Sequence, residues 1–150
     1  MRRRLGSYPG ARGWGVSLHE LRRKANEALA RRWLASKHWG GWRVGMRCQI
    51  TGRVCVGATP SGNAVWHCEP GVRDGVGGGL PCLDHPGTRA FLLEDVRRAW
   101  GRAVAVAMPC ERRPEFAAEI ERSDEWPCYW HRYTGRTEAA ALIAALDAAP

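Results

Sequence analysis

The sequence predicts a small α+β domain: an N-terminal helix, a short three-stranded antiparallel sheet, then three C-terminal helices. Three observations carry this. A capping box stands ahead of a helical apolar period near the start. Short β-prone runs, separated by turn chemistry, follow it. Helical periods with their own caps fill the last third. The size agrees, since 150 residues with 45% hydrophobic and 25% charged content suit one folded domain with an arm.

Residues 1–15 are rich in Gly, Arg and Pro and read as a flexible basic arm, leaving 16–150 as the domain. Ser17 and Glu20 form the capping box: the hydroxyl accepts from the Glu20 amide, and the carboxylate reaches back. The helix it starts is expected to run to about residue 37, before Gly40-Gly41. Leu18, Leu21, Ala25, Ala28 and Leu29 share one face at helical spacing and are expected to point inward. Segments 42–48, 53–56 and 64–68 read as three strands, parted by Thr51-Gly52 and by the Gly, Pro and Asn of 57–63. Residues 69–81 hold five glycines and read as a long loop.

Thr88 is expected to cap a second helix through Trp100. Segment 104–108 fits either a continuation of that helix or a buried strand. Pro114 suits the first turn of a third helix reaching about residue 122. Thr137 caps a fourth, over 138–148, with Ala139, Leu142, Ile143 and Leu146 inward.

Net charge is +8, and its placement matters more than its size. Residues 1–53 carry 13 basic and two acidic side chains; residues 54–150 carry 10 and 13. A cationic block joined to a slightly acidic body suits an anionic partner. Nucleic acid releases a counterion for each phosphate neutralised, so it is the leading expectation. Arg22, Arg31, Arg32, Lys37, Arg43 and Arg47 are the candidate phosphate contacts, and Trp39 and Trp42 the candidate stacking rings. An acidic protein surface is the alternative partner for the same block.

The longest apolar run, 139–146, has eight residues, against about 20 for a membrane span. The N-terminus shows no apolar core of a secretory signal, so a cytosolic location is expected. In a reducing compartment the six cysteines serve as buried apolar residues, nucleophiles or metal ligands. Two Pro-Cys-x-x-His steps stand out, at Cys82/His85 and Cys128/His131. Together they supply a Cys2His2 set for a structural zinc ion, which would staple the fold across distant parts of the chain. Cys48, Cys55, His67 and Cys68 form a second possible cluster.

No G-x-S-x-G or phosphate-loop motif is present. The stretch Leu83-Asp84-His85-Pro86-Gly87-Thr88-Arg89 faintly resembles the Asp-His strand-loop of the His-metal finger nucleases. The resemblance covers seven residues. It implies a metal-dependent nuclease in which His85, beside Asp84, activates water at a divalent ion. Phe91, Leu92 and Leu93 stand where that family places its downstream Asn or His. Binding without catalysis is the leading expectation, and this nuclease is the enzymatic alternative.

Overall fold

The computed structural model describes residues 17–67, 75–121 and 130–150. The basic arm, Cys68, Trp126 and Cys128 lie outside the described residues. In chain order the elements are α1 (Leu18–Ala35), β1 (Cys55–Ala58), β2 (Ala64–Trp66), β3 (Gly75–Gly77), α2 (Pro86–Trp100), β4 (Val104–Ala107), β5 (Phe116–Glu121), β6 (Trp130–Gly135) and α3 (Glu138–Asp147).

The expected architecture of one sheet and four helices is corrected. Among the described residues there are three helices and two antiparallel sheets, ordered β1-β2-β3 and β4-β5-β6. The helix expected over 114–122 is instead the central strand β5. Its Ala and Glu residues favour helix locally, but propensity yields to pairing on both edges. Ile120 lies opposite Val104 on one side and His131 on the other. The ambiguous segment 104–108 resolves as the strand β4. Segment 42–48 forms no strand; only isolated bridges occur, Arg47 with Val54 and Cys48 with Pro81.

The caps explain where the helices begin. Ser17 caps α1 by accepting from the Glu20 amide, and Thr137 caps α3 by accepting from the Ala140 amide. At α2 the expectation shifts. His85 is the N-cap residue and Pro86 opens the helix, while the Thr88 hydroxyl, fully buried, accepts from the Arg47 amide. Gly101 ends α2 in the left-handed conformation at φ 60°, which a residue without Cβ adopts without steric cost. Between β6 and α3 the chain turns so tightly that a Cβ on Gly135 would sit 2.6 Å from the Ala141 nitrogen.

One core cluster runs from α1 through both sheets to α3. Leu142, Ile143 and Leu146 of α3 are essentially fully buried, as the helical period predicts. Each contributes about 1.5–3 kcal/mol by leaving water. The inward face of α1 differs from the expected one. It buries Asn26, Ala30 and Trp33, with Leu29 packed beside them. Leu18, Leu21, Ala25 and Ala28 are exposed.

Candidate functional site

The reversal on α1 begins with hydrogen bonding. Trp33 Nε1 donates to Asp95 Oδ2 at 2.9 Å, and Asn26 Nδ2 donates to Asp84 Oδ2 at 2.8 Å. A buried polar group must find a partner, and α2 with the loop before it supplies partners for these two. The face that turns inward is therefore the one whose polar groups can be satisfied. The outward face is left with residues 18, 21, 25 and 28, a 3-4-3 spacing that forms one stripe. Leu18 is 85% exposed and Leu21 52%. Arg22 flanks the stripe on one side, Lys24 and Arg31 on the other, and Arg32 continues it toward the C-terminal end.

The expected phosphate contacts separate into three groups. Arg22 pairs with Asp84 at 2.8 Å, and Arg32 pairs with Asp147. Both pairs are exposed, and such pairs contribute little and exchange readily. Arg43 is different. Its side chain is largely buried, lies over the Phe91 ring, and bonds the Phe91 carbonyl, Glu94 and Asp95. Asp95 itself is fully buried, and its carboxylate also accepts from Arg98, Trp33 Nε1 and the Gly40 amide. Arg43 is thus a core strut. Arg31, Lys37 and Arg47 are exposed and have no carboxylate partner among the described residues, and Arg53 shares that state.

Of the expected stacking rings, Trp42 sits in the interior and Trp39 at its edge. Trp33, Trp39, Trp42 and Trp66 form an edge-to-face series with centroid separations of 4.7, 5.7 and 4.8 Å. Trp42 is buried and Trp39 half-buried. Their faces are spent on one another, an arrangement that stabilises a core.

The two histidines of the proposed Cys2His2 set lie far apart, and Cys128 is outside the described residues. His85 caps the N-terminal end of α2. The His131 ring lies on β6 beside Trp100, the last residue of the same helix, with centroids 6.1 Å apart. A helix of 15 residues is about 22 Å long at a rise of about 1.5 Å per residue, so the two imidazoles stand at opposite ends of α2. Among the described residues no group of three or more His, Cys, Asp or Glu side chains is placed to hold a metal ion.

In the second cysteine cluster, the Cys55 thiol donates to the Gly57 carbonyl at 3.0 Å. Cys48 is buried against Trp66 and Gly79. Burial alone raises its thiol, but hydrogen bonds from the Thr51 side chain and from the backbone at Thr51, Ile50 and Leu80 outweigh it. The net shift is downward from the ordinary thiol value.

Asp84 and His85 are poised differently from what the nuclease resemblance implies. His85 leads directly into α2, and its Nδ1 is buried with no hydrogen-bond partner. The Asp84 carboxylate is taken up by Arg22 and Asn26. Asp84 instead forms one wall of a cleft of about 450 Å3 between α1 at Arg22 and Asn26, the start of α3 and the second sheet. Sequence reasoning missed this cleft and the Asp95 hub alike. A lone Asp within a helical period gives no sign of burial, and the cleft is assembled from residues up to 117 positions apart.

The chain matches no family model, no curated protein and no solved structure. No described helix is long and apolar enough to cross a membrane.

Proposed function

We propose that this protein is a non-catalytic interaction module whose outer α1 face receives an acidic amphipathic helix from a protein partner. The observation that supports this reading is the exposed stripe of Leu18, Leu21, Ala25 and Ala28, rimmed by Arg22, Lys24, Arg31 and Arg32. Arg31 has no carboxylate partner among the described residues, while Arg22, Lys24 and Arg32 sit in exposed pairs with Asp84, Glu20 and Asp147 that a partner's carboxylates could replace, so an apolar seam with the opposite charge on its flanks is the matching partner. The stripe is short, so a micromolar affinity, about −8 kcal/mol, is the scale to expect.

A nucleic-acid backbone is the second reading. It is favoured by Arg31, Lys37, Arg47 and Arg53, exposed cations of the N-terminal third without a carboxylate partner among the described residues, and does not call on Trp39, Trp42 or Arg43. The two readings differ in what they ask of the leucines. The test uses two labelled probes: a synthetic helix with Leu at its seam and Glu on both flanks, and a generic DNA duplex. Saturable anisotropy with the peptide, abolished in Leu21→Asp, supports the docking reading. Binding of DNA alone, weakening steeply with salt and indifferent to Leu21→Asp, overturns it in favour of the second.

A further inference from the structure

The cleft beside Asp84 carries a separate reading. Three arginines line it, Arg22, Arg89 and Arg136, together with two carboxylates, Asp84 and Glu138. Four of these five groups are already matched. Arg22 pairs with Asp84 at 2.8 Å and Arg89 with Glu138 at 3.0 Å. Arg89 is fixed further by the carbonyls of Leu83 and Asp84, at 3.0 and 2.8 Å. Arg136 is exposed and has no carboxylate partner among the described residues, which leaves one uncompensated positive charge in the cleft.

The rest of the wall is mostly apolar, with Leu83, Met108, Phe116 and Ala139 beside the polar Asn26 and Thr137. Met108 and Phe116 approach from the second sheet, and Met108 is 66% exposed and so accessible to a ligand. A volume of about 450 Å3 lies within the range of small-molecule sites, which combine apolar walls with a few placed polar groups. Arg89, bonded to Glu138 and to two carbonyls, holds one wall in place, and the unmatched Arg136 guanidinium is what a ligand would meet.

We infer that the cleft binds a small organic oxyanion, its charged head at Arg136 and a flat apolar body against Met108 and Phe116. Arg suits such a head because its planar fork donates two parallel hydrogen bonds to phosphate or carboxylate. Met suits the body because its thioether adapts to aromatic edges. This site lies apart from the outer α1 stripe, and only Arg22 borders both.

The experiment is isothermal titration of the full chain with phenyl phosphate, inorganic phosphate and phenol. Phenyl phosphate is expected to bind, with each of the other two at least about tenfold weaker, because each lacks one half of the recognised chemistry. Arg136→Ala is expected to weaken phenyl phosphate by about tenfold, and Met108→Ala by a smaller factor. Arg136 and Met108 are exposed, so both variants should retain the fold, and circular dichroism verifies this. Leu21→Asp is expected to leave the titration unchanged, which separates this inference from the docking proposal. Inorganic phosphate binding as tightly as phenyl phosphate, or Arg136→Ala without effect, would overturn the inference.

Discussion

The two faces of α1 differ in a way that hydropathy alone predicts backwards. The inner face buries Asn26, Ala30 and Trp33, while the outer face exposes Leu18, Leu21, Ala25 and Ala28. The inner residues have partners: Trp33 Nε1 reaches Asp95, Asn26 reaches Asp84, and the Trp33 ring meets Trp39. The outer residues have none among the described elements. Burial here follows the availability of complementary groups, and an apolar stripe without them is left as surface. The proposed docking role rests on this exposed stripe.

Three substitutions break or sharpen that contrast. The largest effect is expected from Asp95→Ala, which strands the buried Arg43 guanidinium and the Trp33 indole N–H together. Removing one member of a buried charged network costs about 3–5 kcal/mol. Urea denaturation should show a much lower midpoint; an unchanged midpoint would mean that the inner face does not depend on this carboxylate. Asn26→Ala removes one hydrogen bond to a charged group and should cost about 1–2 kcal/mol by the same measurement. Leu21→Asp should leave stability within about 0.5 kcal/mol of the parent, as a surface change does. A loss of several kcal/mol there would show that the stripe is packed against something in the folded chain.

Much of this fold was legible where local chemistry decides it. The capping box at Ser17 and the cap at Thr137 place α1 and α3, and the inward set of α3 is the one that its period indicates. β5 was not legible, because Ala117, Ala118 and Glu119 are good helix formers that become strand only beside β4 and β6. The cationic block was visible, but its division was not. Arg43 and Arg31 look alike in the sequence. One ends against Asp95, 52 positions away, and the other in solvent. Charge patterning counts cations; the carboxylates that neutralise them arrive through tertiary contacts. The same holds for Trp39 and Trp42, whose neighbours in the sequence suggest an RNA- or DNA-stacking surface and whose neighbours in space are other tryptophans.

The most direct test is an amide chemical-shift map of the full chain titrated with the acidic amphipathic helix. Shifts concentrated on the outer residues of α1, from Leu18 to Arg32, and suppressed by raised salt, are the predicted result. Shifts spread over the whole surface, or restricted to Lys37, Arg47 and Arg53 with the leucine stripe silent, would contradict it.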